Sequence, residues 1–314
     1  MNPSPRVPAQ AGTHPSAFTE EPPGVSSGAQ LLGSGPANPW VPAFAGTRNS
    51  CLERLSPALG ASIPGFDLSR PLSGEDEEAI WRAFLAHHVV VFPGQSLTRE
   101  QQFDFATQFG EVEAPEARRA AGKRHGVAHV MSNLDAEGNP TVRYSAAANY
   151  HWHTDKPYQP APPMLTTLYA VEAPRSGGDT EFANTALAYD ALPNTTKHRI
   201  AALRVAFRPA FDPSQPAVDH PLVRTHPDTG HKALYLGNHS THVLGMPEAE
   251  GAALLRELVE HATEPQFVYR HRWQAGDLVM WDNRCLLHRA VLDSNSGKYR
   301  RVMHRSLVKG TVPH

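Results

Sequence analysis

Residues 149–155 read Asn149-Tyr150-His151-Trp152-His153-Thr154-Asp155, and this stretch decides how the rest of the chain must fold. We expect an extended strand here. Alternate side chains of a strand point to the same face, so His153 and Asp155 would project together. One imidazole nitrogen and one carboxylate oxygen on a shared face supply two of the three ligands of a 2-His-1-carboxylate site for non-haem Fe(II). The third ligand must come from a distant part of the chain.

Two features compete with this interpretation. His151 lies on the same predicted strand face as His153 and Asp155, so spacing alone leaves it as a rival ligand. A second His-x-Asp occurs at His226-Pro227-Asp228, and short motifs of this kind arise by chance. There the run Pro-Asp-Thr-Gly has the residues of a hairpin turn between two extended segments, which favours a turn over a metal site.

Composition excludes several classes of protein. The net charge of −2 gives no overall basic field, so nucleic acid is not an expected partner. The two cysteines, Cys51 and Cys285, are far apart and lack CxxC spacing, which argues against a disulfide framework or a structural zinc site and fits a reducing cytoplasm. No apolar run approaches the ~18 residues of a membrane-spanning helix, so we expect no membrane partner.

Residues 1–50 differ in composition from the rest of the chain. They hold nine of the 29 prolines, with Gly, Ser and Ala between them and few large aliphatic residues. Such a segment buries too little apolar surface to offset its ordering entropy, so we expect a disordered, dispensable extension. It also repeats itself, at Val7–Thr13 and Val41–Thr47, and resembles translated intergenic repeats ahead of a start assigned too early. Residues 51–314 would then form a single domain.

The globular part begins with two predicted helices. Ser73 and Thr98 are the capping residues, the latter in a capping box with Gln101, and a buried strand at 89–92 separates the helices. Residues 111–148 show weak periodicity and are expected to form a long loop, either a lid over a site or a surface excursion.

Strand patterns dominate the chain after residue 149. We expect two further helices, at 194–203 and 248–262, and strands at 164–173, 180–183, 204–211, 233–238, 267–273, 277–281 and 300–308. Many short strands with Gly and Pro turns and few helices are typical of a jelly roll. The predicted fold class is therefore mainly β with flanking helices.

The C-terminal part supplies candidates for the rest of the site. The run Gly276–Arg284 is a turn followed by a strand, and His288 lies just beyond it. On the following strand, Arg301 and Arg305 share one face, and arginine is almost never buried unpaired. Two such side chains imply an anionic partner inside the fold, unless the strand is exposed and its arginines are solvated.

At this point the chain resembles a known family. His153-x-Asp155, His288 and Arg301 occur in the order and spacing of the Fe(II)/2-oxoglutarate-dependent dioxygenases related to taurine dioxygenase and 2,4-dichlorophenoxyacetate dioxygenase. The likeness runs over about residues 55–310. It includes the segments Trp152–Asp155, Ser176-Gly-Gly-Asp-Thr180, Ala188-Tyr-Asp-Ala-Leu192, Arg224-Thr-His-Pro227, Trp281-Asp-Asn-Arg284 and Arg301-Val-Met-His-Arg305.

The resemblance implies a fold, a reaction and a set of residue roles. The fold is a double-stranded β-helix (jelly roll, cupin-like) core, and the reaction couples substrate hydroxylation by O2 to conversion of 2-oxoglutarate into succinate and CO2. By the family pattern His153, Asp155 and His288 bind Fe(II), which favours His153 over His151. The remaining positions hold the two anions: Thr180 and Arg301 match those for the distal carboxylate of 2-oxoglutarate, and Asn149 and Arg305 match those facing the acidic group of the primary substrate.

One departure from the family pattern bears on the substrate. In the taurine enzymes, the segment after the Phe-Gly-Glu helix end carries a histidine and an aromatic residue that contact the aminosulfonate. This chain has neither in the run Phe109–Glu116. Taurine itself is therefore in doubt, whereas aryloxyalkanoates, other sulfonates, alkyl sulfates and other carboxylates stay open as small anionic substrates.

Two other functions compete with the dioxygenase. A non-catalytic jelly-roll protein would keep the fold, with or without the metal, but would have no need of Arg301. A zinc hydrolase would use the same two histidines and Asp155, but no general-base carboxylate stands beside the motif. The sequence does not fix the oligomeric state, and a homo-oligomer is compatible with it.

Overall fold

A computed structural model describes residues 52–113, 117–120, 123–141, 149–209, 211–212, 214–292 and 297–314, with the backbone alone at 117–120 and 123–125. The expected N-terminal extension, residues 1–50, lies outside the described residues. Within the described part, no helix is long and apolar enough to cross a membrane.

Short strands outnumber helices in the described part. The helices are α1 (Gly74–His87), α2 (Arg99–Thr107), α3 (Thr185–Ala191), α4 (Asn194–Ile200) and α5 (Glu248–Ala262), with a 3-10 turn at Pro265–Phe267. The strands are β1 (Glu53–Arg54), β2 (Ala61–Ser62), β3 (Val89–Phe92), β4 (Ala117–Ala120), β5 (Lys123–Gly126), β6 (His129–Ser132), β7 (Leu165–Glu172), β8 (Thr180–Asn184), β9 (Arg204–Phe207), β10 (Val218–Pro221), β11 (Val223–Thr225), β12 (Lys232–Leu234), β13 (Ser240–Val243), β14 (Val268–His271), β15 (Leu278–Asp282), β16 (Leu286–Ala290) and β17 (Val302–Val308). The protein is mainly β, as predicted.

Two facing sheets form the centre of the fold. The large sheet has the order β1-β2-β3-β15-β7-β17-β6, and all its pairings are antiparallel except that of β2 with β3. The small sheet has the order β14-β8-β16. Buried side chains from both sheets, including Phe182, Trp281, Leu286 and Met303, pack in one cluster between them. Such burial of apolar surface is the main stabilising term for a sandwich of this kind.

Helices cover the outer faces of this sandwich. Helices α1 and α2 pack on the far side of the large sheet, in a cluster that includes Phe84, Phe105 and Val308. Helices α3 and α5 pack in another cluster with strands β9, β12 and β13. Both N-terminal helices begin where their caps predict: Ser73 Oγ accepts from Asp76 N at 3.1 Å, and Thr98 forms a complete capping box.

Several expectations about local structure were wrong. Residues 149–155 do not form a strand; the segment is irregular and makes one antiparallel bridge, between His153 and His288. His288 does not follow the last strand of its region but lies on β16, and residues 185–191 form α3, which was not expected. The region 111–148 is not one long loop, because it contributes β4, β5 and the sheet-edge strand β6.

The second His-x-Asp segment behaves as predicted. His226-Pro227-Asp228 lies in the turn that joins β11 to β12, and Gly230 in this turn has a φ of 73°. A positive φ carries a steric penalty for residues with a Cβ, so glycine fits this position.

Candidate active site

Three buried side chains with metal-ligand chemistry meet between the two sheets. His153, Asp155 and His288 each offer a ligand atom, and these atoms lie within 4.8 Å of one another. The backbones of the two histidines bond reciprocally: His153 N donates to His288 O at 3.0 Å, and His288 N donates to His153 O at 2.7 Å. This pairing fixes two ligands that are distant in sequence, and it places the imidazole centroids 4.1 Å apart.

Hydrogen bonds orient the first two of these side chains. His153 Nδ1 lies 2.8 Å from the carbonyl oxygen of His151, and because a carbonyl can only accept, Nδ1 carries the hydrogen and leaves Nε2 with a free lone pair. Asp155 Oδ2 accepts from Thr166 Oγ1 at 2.6 Å, and Thr166 in turn accepts from the amide of Asn283 at 2.8 Å. Thr166 on β7 was not singled out from the sequence, because nothing local marks a threonine on a buried strand.

Exposure argues against His151 as the rival ligand. Its side chain is exposed, whereas those of His153, Asp155 and His288 are buried. The contribution of His151 to the site is its backbone carbonyl. Spacing left the choice open because it assumed a regular strand, on which His151 would have faced inward.

The electrostatics of the three residues suit a divalent metal ion. Burial, followed by the neighbouring His153, lowers the pKa of His288 to about 3, and burial also lowers the pKa of His153. Burial alone would raise the pKa of Asp155, but His288 and Arg305 outweigh it, so the net shift of this pKa is downward. At neutral pH the site therefore offers two neutral imidazoles and a carboxylate, the protonation states that metal binding requires. His288 Nδ1 is buried without a hydrogen-bond partner among the described residues, so this ring is not saturated by protein contacts.

Thr180, Trp273 and Arg301 form a second group of polar and cationic side chains, called the Arg301 pocket below. Thr180 Oγ1 accepts from the indole Nε1 of Trp273 at 3.0 Å, and the Arg301 guanidinium lies 6.0 Å from the centroid of the Trp273 ring. Gly178 has a φ of 71° and leaves room for the Arg301 side chain, because a Cβ at this position would lie 3.3 Å from Arg301 Cδ. The structure thus brings Thr180 and Arg301 together through an indole that the sequence did not indicate.

Within the part of the chain that the structure describes, no carboxylate pairs with the Arg301 guanidinium. Its Nε is buried without a hydrogen-bond partner among the described residues, and burial lowers the pKa of the side chain to about 10, with Tyr150 opposing the shift. An unpaired buried cation is costly, so the pocket favours a carboxylate that can pair with it. The donor set therefore fits a dicarboxylate such as 2-oxoglutarate.

Of the two remaining predicted site residues, Arg305 contacts the triad, and Asn149 lies four residues before His153 in the chain. Arg305 on β17 is half-buried, and its NH1 lies 3.7 Å from Asp155 Oδ1. Arg305 and Met303 alternate with His304, which contacts Tyr169 on the helix-covered side, so Arg305 faces the space between the sheets as predicted. Asn149 is half-buried at the start of the irregular segment that carries His153.

One glycine that the sequence did not reveal controls the position of His153. Gly237 has a φ of 143°, and a Cβ there would lie 3.0 Å from Trp152 O and 3.2 Å from His153 Cα. The close approach lets Asn238 N donate to Trp152 O at 2.9 Å. No sequence signal distinguishes this glycine from one in a surface turn.

A second cluster has ligand-type residues but is saturated. His88, Asp282 and Cys285 also bring ligand atoms within 4.8 Å. Asp282 already accepts four hydrogen bonds, from the Arg284 side chain at 2.7 and 2.8 Å, from Arg284 N at 2.9 Å and from His226 at 2.9 Å. Burial raises the pKa of the Cys285 thiol well above its usual value. A carboxylate with no free lone pair and a protonated thiol are poor ligands, so this cluster is structural.

Comparisons with known proteins agree with this geometry. The family described as taurine catabolism dioxygenase TauD, TfdA matches residues 52–307. The chain is 39% identical over 257 residues to an alpha-ketoglutarate-dependent 2,4-dichlorophenoxyacetate dioxygenase of Cupriavidus pinatubonensis (strain JMP 134), covering 75% of this chain and 90% of that one. It is 34% identical over 277 residues to an alpha-ketoglutarate-dependent sulfate ester dioxygenase of Pseudomonas putida, covering 81% and 88%.

Solved structures are also similar. A crystal structure of AAD-2 in complex with Mn(II) and N-oxalylglycine superimposes with a TM-score of 0.75 at 34% identity, covering 85% of this chain and 98% of that one. Family match, sequence relatives and solved structure all span the two sheets and the cluster of His153, Asp155 and His288 between them, so this chain belongs to the TauD/TfdA family of Fe(II)- and 2-oxoglutarate-dependent dioxygenases.

Proposed function

We propose that this protein hydroxylates a small organic anion, using His153, Asp155 and His288 to hold Fe(II) and Arg301 with Thr180 to hold 2-oxoglutarate. The observation that carries the proposal is Arg301, whose Nε is buried without a hydrogen-bond partner among the described residues, in a fold that also brings the ligand atoms of His153, Asp155 and His288 together. A protein that only bound metal would gain nothing from this costly arrangement.

Each part of the site has a distinct task. Bound Fe(II) supplies the activation of O2 that couples decarboxylation of 2-oxoglutarate to hydroxylation of a substrate C–H bond. His153, Asp155 and His288 would hold the metal as its three protein ligands. Arg301 pairs with the distal carboxylate of 2-oxoglutarate and so fixes the orientation of the cosubstrate, while Thr180 adds a neutral hydrogen bond.

The primary substrate would be recognised by its negative charge. Arg305 lies at the edge of the metal site and keeps part of its guanidinium exposed, so it is positioned to receive an anionic group from outside. Asn149 precedes the ligand segment and would add a neutral polar contact. Relatives named for 2,4-dichlorophenoxyacetate, (S)-phenoxypropionate and sulfate esters suggest an aryloxyalkanoate, sulfonate or alkyl sulfate. Taurine is disfavoured because the segment after Gly110 lacks the histidine and aromatic residue of the taurine enzymes.

We also propose the architecture that this function needs. The large and small sheets would form the double-stranded β-helix of the family, within one domain from residue 51 to 314, while residues 1–50 would be dispensable. The span of the family match, residues 52–307, supports these limits. Low cysteine content supports a cytoplasmic location, and a homo-oligomer is compatible with the fold.

The test is Fe(II)-dependent conversion of 2-oxoglutarate to succinate under air. We expect succinate to form slowly with the protein alone and faster when a matching sulfonate, alkyl sulfate or aryloxyalkanoate is added. Arg301→Gln should abolish both rates at low 2-oxoglutarate concentration. A protein that binds Fe(II) but forms no succinate with or without the panel would be a binding protein, and the proposal would fail.

A further inference from the structure

An ion pair lies directly beside the metal ligands. Lys156 Nζ contacts Glu113 Oε2, and both side chains are largely buried, with 26% and 17% of their surfaces exposed. Lys156 follows Asp155 in the chain and has a φ of 48°, a left-handed conformation that is uncommon for a residue with a side chain. The backbone thus turns immediately after the ligand and sends the ammonium group back towards Glu113.

The β-register places Glu113 on the same face as Arg305. Val112 and Val308 form an antiparallel bridge, and Glu113 N donates to Leu307 O at 2.8 Å. Residues opposite each other in an antiparallel pair share a face, and so do alternate residues along β17, so Glu113, Leu307 and Arg305 all point to the space between the sheets. Glu113 and Arg305 are then diagonal neighbours, whose Cβ atoms are typically about 7–8 Å apart.

Tyr158 lies close to these charged groups. Tyr158 packs edge-on against His239, with centroids 5.1 Å apart, and against Phe211, which is 70% exposed. Burial raises the pKa of the Tyr158 phenol, Asp155 and Glu113 raise it further, and Arg305 opposes them. The phenol is therefore close enough to all three charged groups to sense them, at the outer end of the site.

The charges at this end do not cancel. Asp155 belongs to the metal ligands, which leaves two cations, Lys156 and Arg305, and one anion, Glu113, as the outer charge set. Because Glu113 neutralises Lys156, the set carries a single positive charge, centred on Arg305. Without Glu113 the same place would carry two positive charges and would attract a dianion more strongly than a monoanion.

We propose that Glu113, by neutralising Lys156, sets the charge selectivity for substrates: the single positive charge left at Arg305 admits monoanions such as sulfate monoesters, sulfonates and carboxylates over dianions such as phosphate monoesters, whose second charge would be desolvated without a partner. The inference rests on the proposed function, because it assumes that the substrate anion reaches Arg305. It makes Glu113 a specificity-determining residue even though its charge has the same sign as that of the substrate. Selection would work because Glu113 cancels the second positive charge that would otherwise pair with the second negative charge of a dianion.

Phenyl sulfate and phenyl phosphate test this inference because they have nearly the same shape. At pH 8 the sulfate ester carries one negative charge, and the phosphate ester, with a second pKa of about 6, carries two. Dissociation constants for both would be measured by calorimetry on the full chain loaded with Mn(II) and 2-oxoglutarate. We expect the native protein to bind phenyl sulfate about tenfold or more tightly than phenyl phosphate.

Three variants should change the preference between phenyl sulfate and phenyl phosphate in different ways. Glu113→Gln should shift the preference towards phenyl phosphate by about tenfold. The reason is that the Glu113 charge repels a dianion twice as strongly as a monoanion, so its removal favours the dianion. Lys156→Gln should shift the preference further towards phenyl sulfate and weaken both ligands. The double variant, Glu113→Gln with Lys156→Gln, restores a single positive charge and should return the preference close to that of the native protein.

A neighbouring ion pair supplies the matched control. Glu111 pairs with Lys309 on the same stretch of chain, but both side chains are exposed, at 74% and 51%. Glu111→Gln should leave the preference unchanged. If the two single variants shift the preference in the same direction, or if Glu113→Gln does not raise relative phosphate binding, the inference is overturned. Failure of the proposed function would appear separately, as the absence of 2-oxoglutarate turnover with Fe(II) in the native protein.

Discussion

Replacement of Arg301 by glutamine should produce two effects of opposite sign. Burial lowers the pKa of Arg301 from 12.5 to about 10. Each pKa unit corresponds to about 1.4 kcal/mol, so keeping this side chain charged in the ligand-free fold costs on the order of 3 kcal/mol. Because the folded-state pKa is below the unfolded value, this cost is fully present at pH 8 and fades only as the pH rises through about 10.

Binding of 2-oxoglutarate should offset this free-energy cost. Pairing a buried guanidinium with a carboxylate is worth roughly 2–4 kcal/mol, so Arg301→Gln should weaken 2-oxoglutarate binding by on the order of a hundredfold. The same change should leave the ligand-free protein at least as stable as the native one, since it removes an unpaired buried charge. Denaturant melts without ligand and calorimetric titration of the Mn(II)-loaded protein with 2-oxoglutarate measure the two effects.

Two other arginines provide the comparison. Arg300→Gln removes an exposed partner of Glu172 and should change neither quantity appreciably. Arg305→Gln should leave 2-oxoglutarate affinity nearly intact and weaken an anionic substrate instead. The reasoning is refuted if Arg301→Gln keeps native 2-oxoglutarate affinity, or if it destabilises the ligand-free protein more than Arg300→Gln does. If Arg305→Gln affects only the cosubstrate, the two roles are exchanged.

Three further outcomes are expected. Alanine at any of the three proposed ligands should remove most Fe(II) binding and all coupled turnover, whereas His151→Ala should be milder; loss of iron with His151→Ala but not with His153→Ala would reverse the assignment. Gly237→Ala should destabilise the fold by about 1–3 kcal/mol and weaken Mn(II) binding, since its Cβ would press on His153, while Gly230→Ala, with a φ of 73° and open space around it, should lower stability alone. A chain that starts at Cys51 should keep its melting temperature and activity; a loss of several degrees would show that the extension packs on the domain.

The parts of the fold that the sequence predicted are those specified by neighbouring residues. Ser73 and Thr98 accept hydrogen bonds from the backbone three residues ahead, so the starts of α1 and α2 can be found within a few positions. The apolar strands β3, β7 and β15 follow from composition in the same way. Strand β16 was missed because its identity depends on pairing with β8, about a hundred residues earlier in the chain.

For the site, too, short-range features could be predicted from the sequence and long-range ones could not. Resemblance to a family found His153, Asp155 and His288, although the local argument that led to the first two assumed a strand that does not exist. Their common orientation comes from the bridge between His153 and His288, which is a long-range contact. Gly237 and the pairing of Glu113 with Lys156 are also long-range, and no pattern within a short window specifies them.

Two buried clusters of the same residue types show how function can be separated from structure. Around Asp282, every strong donor nearby is already used: Arg284 and His226 fill the carboxylate, and the Cys285 thiol stays protonated. Around the triad, by contrast, His288 Nδ1 and Arg301 Nε are buried without partners among the described residues. A saturated cluster lowers the free energy of the folded chain by itself, whereas an unsaturated one raises it until a ligand arrives. Among the described residues, buried atoms without hydrogen-bond partners therefore include one in the triad and one at the proposed 2-oxoglutarate site, so hydrogen bonding is incomplete at residues that would carry the function.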